Sequence, residues 1–245
     1  MIPKHLQTIT VWKDWIGRRS REMGKDLGGI CIFSMGSPFL KGIRSLLVFL
    51  AVWTIMPMDV GAAPGRSAQT ATSLVREVLD EAMNIQTRPD LEGETHRRER
   101  ARLIRKLIGD NFLASDMARE SLKGYWERMS QEQRTEFQKL FTTLFQDSYT
   151  RLVLNFLKKE SVEYKEESPD QNGTLVRTLI MRANEHIPVD YHLVQKSGRW
   201  FIRDVDIDGV SIVQNYQSKF RQVIEKSSIQ GLLQNMRTQS QAIED

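Results

Sequence analysis

The first half of the chain places its hydrophobic residues at the spacing of α-helices. Apolar positions over residues 73–88 keep that spacing, and Pro89 ends the segment. A second helix is predicted over about residues 91–107, with a charged first half and an apolar end. Ser115 can cap a third predicted helix, which runs to residue 126.

The fourth predicted helix carries the widest apolar face of the chain. It starts at the capping-box signature Ser130-Gln-Glu-Gln133. Its apolar residues recur at i, i+3 and i+4 and are Phe137, Leu140, Phe141, Leu144, Phe145, Tyr149, Leu152, Val153 and Phe156. A stripe of this width must pack against a large apolar surface.

After Leu157 the hydrophobic period changes from about 3.6 residues to about 2. The alternating segments cover residues 161–167, 174–182, 187–195 and 199–207. Turn-forming pairs separate them, namely Asn172-Gly173, Asn184-Glu185 and Ser197-Gly198. Connections this short predict an antiparallel meander of four strands.

The strand segments are predicted to bury one face. Val189 and Tyr191 share a face, whereas Asp190 and His192 point to the opposite, partly solvated side. In the first strand pair the alternation leaves two registers open, because Leu175, Leu179 and Met181 compete with Val176 and Ile180 for the inner face. 

Two closing helices are predicted over residues 210–226 and 229–243. The order of helices, meander and helices predicts an α+β fold, in which a curved four-stranded antiparallel meander packs against helices.

The N-terminal 63 residues have the pattern of an export leader. A basic flank precedes an apolar run over residues 46–58, and small residues follow up to a predicted cleavage after Ala63. The run is shorter than the roughly 20 residues that span a bilayer. Residues 1–34 exceed what export requires, so we interpret them as an over-extended start before Met35. A single domain is predicted for residues 64–245.

Charge and cysteine content narrow the functional classes. Residues 1–63 hold eight of the 35 Lys and Arg and four of the 31 Asp and Glu, which leaves 27 of each sign in residues 64–245. A neutral domain does not favour nucleic-acid binding. Cys31, the one cysteine, lies in the leader, so disulfides and thiolate sites are excluded from the predicted mature chain.

Catalytic and metal-binding motifs are absent from the sequence of residues 64–245. No Gly-x-Ser-x-Gly nucleophile elbow occurs there, and Gly209-Val-Ser-Ile212 lacks the second glycine. The acidic run of residues 204–209 lacks the terminal Glu of a calcium loop. The histidines show no i, i+4 metal-binding pair. We therefore predict no catalytic residue, no metal and no cofactor.

Two stretches resemble a known family. The first includes Met117-Ala-Arg119, Trp126, Ser130-Gln-Glu-Gln-Arg134 and Leu140-Phe141. The second includes Val189-Asp-Tyr191, Gly198-Arg-Trp-Phe-Ile-Arg-Asp-Val-Asp-Ile-Asp-Gly-Val-Ser211, Tyr216 and Phe220. Together they are similar to the MlaC, or toluene-tolerance, family of periplasmic phospholipid-binding partners of a lipid-transporting ABC system. The chain departs from that family at Lys123, where Gly is usual, and at Gln217, where Arg is common.

The resemblance implies a fold, a function and partners. It implies an NTF2-like general shape and a monomeric periplasmic carrier that holds phospholipid acyl chains in an apolar cavity. The implied partners are an inner-membrane ABC transporter complex and an outer-membrane lipoprotein complex, between which lipid moves to maintain outer-membrane asymmetry. A hopanoid-type lipid is an alternative cargo.

The predicted cavity lies between the inner face of the sheet and the long fourth helix. Its predicted lining residues are Leu140, Leu144, Tyr149, Val153, Phe156, Val176, Ile180, Val189, Tyr191, Leu193, Trp200, Ile202, Val205, Val210, Tyr216 and Phe220. Such surfaces are by themselves typical of an ordinary core. The resemblance is what favours a cavity for lipid.

Two other functional classes stay open at this point. An envelope hydrolase or isomerase on the same fold would use Asp190, His192 or Asp204 as acid or base. A structural adaptor would have a solid core instead of a cavity.

Overall fold

The computed structural model describes residues 69–182 and 185–244. The predicted leader, the Met35 start and the cleavage after Ala63 lie outside the described residues. The helices are α1 (Ala71–Thr87), α2 (Arg97–Asn111), α3 (Ala114–Leu122), α4 (Gln131–Phe156), α5 (Ile212–Lys226) and α6 (Ile229–Glu244). Short 3₁₀ segments cover Pro89–Leu91, Glu94–His96 and Lys123–Arg128.

The strands form one antiparallel sheet in sequence order. They are β1 (Ser161–Asp170), β2 (Gly173–Arg182), β3 (Glu185–Lys196), β4 (Arg199–Ile207) and β5 (Val210–Ser211). Register irregularities at Tyr164/Glu166 and His192/Leu193 mark bulges, which bend strands. The predicted α+β meander is confirmed, and the two-residue β5 adds a fifth strand.

Two of the predicted helix boundaries are wrong for local reasons. The second helix begins at Arg97 instead of residue 91, because Pro89 and the positive φ of Gly93 (87°) break the segment into 3₁₀ turns. The third helix ends at Leu122, where Lys123 adopts φ 46° and leaves the helical region. Ser115 does not cap that helix, whose N-cap is Leu113 without a side-chain hydrogen bond.

The start of the fourth helix is as predicted, whereas the fifth starts later. Ser130 and Gln133 form both hydrogen bonds of the capping box, with Ser130 N donating to Gln133 Oε1 at 3.0 Å. The fifth helix begins at Ile212 because Asp208 and Gly209, both at positive φ, form a turn that pairs β5 with β4. Ser211 then caps α5 by accepting from Gln214 N at 3.0 Å.

The strand register settles which residues face the core. Val176 pairs with Tyr191 and Ile180 with Ile187 on the face covered by helices, and Val176 is 1% exposed. Leu175 pairs with His192 and lies on the other face. Of the two registers that the sequence leaves open, the structure therefore has the one with Val176 and Ile180 on the inner face.

Helix α1 covers the inner face of the sheet. Its N-terminus is held by β1, where the Glu167 carboxylate accepts from Thr72 N at 2.9 Å. The indole of Trp200 on β4 donates to Gln69 O at 2.7 Å and fixes the chain just before α1. Helix α4 packs mainly on α2, α3 and α6, whereas α1, α2, α3 and α5 are the helices that contact the sheet.

Candidate functional site

The sheet and the helices enclose one continuous apolar interior. From the sheet, six predicted lining residues are buried to 6% exposure or less, namely Val176, Val189, Tyr191, Leu193, Ile202 and Val205. Burial raises the pKa of the Tyr191 hydroxyl above its ordinary value. This shift indicates that the inner face of the sheet has the low polarity that hydrocarbon prefers.

Aromatic rings from α4 and α5 form the other wall. Phe137, Phe141 and Phe145 are each at most 1% exposed, and each is one helical turn from the next. Across from them, Tyr216 lies 5.1 Å from Phe141 between ring centroids, and Phe220 lies 5.4 Å from Phe137. Burial raises the pKa of Tyr216 to about 12, against the opposing effect of a hydrogen bond with Ser148.

Most of the predicted lining residues meet in this interior. Partly buried side chains packed on the core include Leu140, Leu144, Tyr149, Val153, Ile180, Trp200 and Tyr216, and Phe220 is fully buried. Phe156 and Val210 are not part of that core. The guanidinium of Arg182 lies over the Phe156 ring at 5.3 Å, and Val210 belongs to β5. For all the predicted residues, the role of lining a lipid cavity stays a prediction.

Sequence reasoning missed part of the interior. Leu74, Val75 and Leu79 on α1 and Ile104 on α2 are buried to 7% exposure or less and belong to the same core. Helical periodicity marks all four as apolar-face residues, but it does not say which partner that face meets. Phe137, Phe141 and Phe145 belong to the apolar stripe that the sequence shows on α4, but not to the predicted lining residues.

A second region of interest is a polar cleft beside the opposite face of β3 and β4. Its volume is about 1050 Å³. The lining residues are Arg119, Glu120, Lys123, Trp126, Glu127, Asp170, Gln171, His192, Arg203, Asp204, Asp206, Ser211, Val213, Gln214 and Gln217. None of the predicted lipid-lining residues belongs to this set.

His192 lies at the centre of an ion cluster in the polar cleft. Its Nδ1 is 2.9 Å from Asp170 Oδ2 and its Nε2 is 3.4 Å from Asp206 Oδ2. Hydrogen bonds to Asp206 and Asp170 raise the pKa of His192 to about 9 against the opposing effect of burial. The same contact with His192, helped by Arg203 at 3.0 Å, lowers the pKa of Asp170 to about 2.

The other two residues considered for acid–base chemistry have different partners. Asp204 Oδ1 accepts from Val205 N at 2.8 Å and from Val213 N at 3.1 Å, which fixes the start of α5. Asp190 lies 3.7 Å from Arg177. With its pKa raised to about 9 and both ring nitrogens facing carboxylates, His192 would serve the alternative of a hydrolase or isomerase at neutral pH as an acid and not as a base.

Replacing His192 with glutamine should destabilise the protein below neutrality and much less at alkaline pH. The folded-state pKa of about 9 exceeds the ordinary 6.5, so this stabilisation is complete below about pH 6.5 and is lost as the pH rises through 9. We expect a cost of about 2–3 kcal/mol at pH 6. Urea unfolding of wild type and H192Q at pH 6 and pH 9.5 measures it, and an equal cost at both values would contradict the expectation.

No helix within residues 69–182 and 185–244 combines the length and the apolarity that a bilayer crossing requires. Over the same part of the chain, no three His, Cys, Asp or Glu side chains are grouped so that they could hold a metal ion.

Comparison with known proteins places the chain in a family. The family model described as MlaC protein matches residues 76–238, about two thirds of the chain. The chain belongs to the MlaC family. The "Intermembrane phospholipid transport system binding protein MlaC" of Haemophilus influenzae is 28% identical over 120 residues, which are 47% of this chain and 56% of that protein. The match thus spans little more than half of the relative's length.

A solved member of the same fold is the phospholipid-binding protein from Ralstonia solanacearum, determined in complex with a phospholipid. It superimposes with a TM-score of 0.60 over 73% of this chain and 99% of its own, at 22% identity. At that identity the likeness concerns the fold alone.

The backbone conformation of Lys123 bears on the resemblance to the MlaC family. Lys123, which stands where the family usually has Gly, has φ 46° and ψ −129°. Glycine adopts positive φ without strain, whereas a residue with a Cβ pays about 1–3 kcal/mol. Lys123 therefore has a backbone conformation that glycine would adopt with less strain, in line with the glycine that the resemblance implies at this position.

Proposed function

We propose that this chain is a periplasmic carrier that encloses phospholipid acyl chains between its sheet and its helices. In this proposal it moves lipid between an outer-membrane lipoprotein complex and an inner-membrane ABC transporter complex. The observation that carries the proposal is the single apolar core that the inner face of β2, β3 and β4 shares with the helices. Membership of the MlaC family and the names of its two relatives support the same cargo.

The physical need for such an interior is large. A diacyl lipid in water exposes about 30 methylenes at about 0.8 kcal/mol each, or on the order of 25 kcal/mol. A carrier must therefore cover both tails. The core joins the inner face of the sheet to several helices, so opening it between the sheet and those helices would expose an apolar surface to a lipid tail.

Two buried hydroxyls fit the polar part of such a cargo. Thr150 Oγ1 on α4 and the Tyr164 hydroxyl on β1 are buried and make no hydrogen bond within the described structure. An unmade hydrogen bond costs about 1–3 kcal/mol. Ester oxygens of a glycerolipid accept hydrogen bonds, so a bound lipid would lower that cost.

Lipid extraction tests the proposal directly. The full chain is expressed in a host that exports it, purified from the envelope fraction and extracted with organic solvent, and mass spectrometry should recover about one diacyl lipid per chain. A hopanoid-type cargo would be recognised by its mass. Protein that carries no lipid and accepts none from vesicles would refute the carrier.

Neighbouring residues on β2 offer a matched pair of variants. Val176 faces the interior and Leu175 faces the other way. In a carrier, Val176→Phe occupies the space of a tail, so bound lipid should fall by more than half while the lipid-free protein stays folded; Leu175→Phe should change neither. A solid core predicts instead that Val176→Phe costs about 1–3 kcal/mol through overpacking and that no lipid is present to be lost.

A further inference from the structure

A small cationic cleft lies at the junction of α3, the 3₁₀ segment after it and α5. Its volume is about 380 Å³, and its lining residues are Leu122, Lys123, Gly124, Tyr125, Arg128, Gln217 and Arg221. Three of them are cations and none is a carboxylate. We refer to Lys123, Arg128 and Arg221 as the cationic triad.

The triad is not neutralised within the described residues. Lys123, Arg128 and Arg221 make no ion pair there, whereas other surface arginines do, for example Arg177 with Glu166 and Arg237 with Glu136. Three like charges around one concavity repel each other and produce a positive potential. Lys123 also occupies a strained backbone position, so a positive charge is kept there at a cost.

The side chains between the charges fit a lipid–water boundary. The guanidinium carbon of Arg128 lies 5.4 Å from the centre of the Tyr125 ring, whose edge lines the cleft between the cations. Tyrosine beside basic residues is typical of membrane interfaces, because its ring is apolar and its hydroxyl is polar. Arginine also matches phosphate oxygens with paired hydrogen-bond donors.

We propose that the cationic triad binds the phosphate of an anionic lipid headgroup and so docks the carrier on a bilayer surface. This inference rests on the proposed function, since it names the surface that a lipid carrier would turn towards a membrane. The combination of three uncompensated cations, a tyrosine and a small concavity favours a headgroup over the broader acidic surface of a protein.

Vesicle sedimentation of the full-length, envelope-purified protein tests the docking. Each cation near an anionic surface contributes roughly fivefold to binding. Lys123→Gln, Arg128→Gln and Arg221→Gln together should therefore weaken binding to vesicles of phosphatidylcholine with one third phosphatidylglycerol by roughly 100-fold. Wild-type binding should fall steeply with added salt, and it should be weak on phosphatidylcholine alone.

Matched variants separate the site from general charge and from folding. Arg98→Gln, Lys158→Gln and Lys159→Gln remove three exposed cations from other parts of the surface and should leave binding within about threefold of wild type. A Cβ at Gly124 meets no atom within 4 Å, so Gly124→Asp adds a negative charge without a clash and should also weaken binding. Lys123→Gly should weaken binding about fivefold while raising the melting temperature by about 2–4 °C, which excludes unfolding as the cause.

The test of membrane docking and the test of lipid carriage have different expected outcomes. Lipid recovered by extraction should stay the same in the triple variant, since the cationic triad lies outside the apolar interior. Equal losses in the triple variant and the three-cation control would overturn the docking site. Failure of the wild type to bind anionic vesicles would also overturn the docking site and would leave an acidic protein surface as the partner. Capture of inorganic phosphate without vesicle binding would show that the cationic triad is a free-anion site and not a docking site.

Discussion

Replacing Phe141 with alanine is expected to lower the free energy of unfolding by about 3–5 kcal/mol. The ring is 1% exposed and lies at the centre of the aromatic cluster between α4 and α5. Its centroid is 5.9 Å from that of Phe145, 5.1 Å from Tyr216 and 6.2 Å from Phe220. The loss combines the transfer free energy of the ring, its aromatic contacts and the cavity left by incomplete collapse.

Urea unfolding of the lipid-free protein measures this loss. Phe201→Ala is the matched control, because that ring is only partly buried and pairs across the sheet with Val194 on the side away from the helices. The control should cost less than half as much. A loss below about 1 kcal/mol for Phe141→Ala would mean that this wall of the interior is loosely packed.

The sheet could be predicted well because the turns between its strands have local sequence signals. Ser197 and Gly198 both have positive φ, at 50° and 77°, so the turn between β3 and β4 needs the residues that the sequence supplies. The period of two then assigns faces, and Val189 and Tyr191 are buried as expected. Where both alternate residues are apolar, as at Leu175 and Val176, only the pairing with β3 decides the face.

The helices show where local signals stop being sufficient. The charged start of the predicted second helix gave no periodic signal, and Gly93 placed the true start six residues later, at Arg97. In α4 the apolar stripe was wide enough to face two partners. The sequence therefore could not show that Phe141 packs against α5 while Phe156 lies outside the core.

The ion cluster was beyond prediction because it joins different elements. The sequence offers Asp190, His192 and Asp204 as separate acid or base candidates, whereas in the structure the histidine pairs with Asp170 and Asp206. Asp170 ends β1, 22 positions earlier, and reaches His192 only because β2 lies between them in the sheet. Antiparallel register, not spacing along the chain, creates such contacts.

The second large expected effect is that of substituting Gly173, which lies in the turn that places Asp170 near His192. A Cβ added to this glycine would lie 1.9 Å from the Leu193 carbonyl oxygen, a backbone atom that cannot move alone. The φ of Gly173 lies outside the positive range, so close approach, not backbone strain, requires the glycine. Gly173→Ala must push β2 away from β3 and should cost about 3 kcal/mol or more.

Gly198→Ala is the control that separates a clash from strain. A Cβ there meets no atom within 4 Å, but φ is 77°, so the expected cost is only about 1–2 kcal/mol. Gly173→Ala should also loosen the contact of Asp170 with His192, because Asp170 pairs directly with Gly173 across the turn. An NMR titration should then find the pKa of His192 displaced from about 9 towards 6.5 in Gly173→Ala and unchanged in Gly198→Ala. Equal costs of unfolding for the two variants, with the same histidine titration, would show that β2 and β3 are not in the close register on which the inner face of the sheet depends.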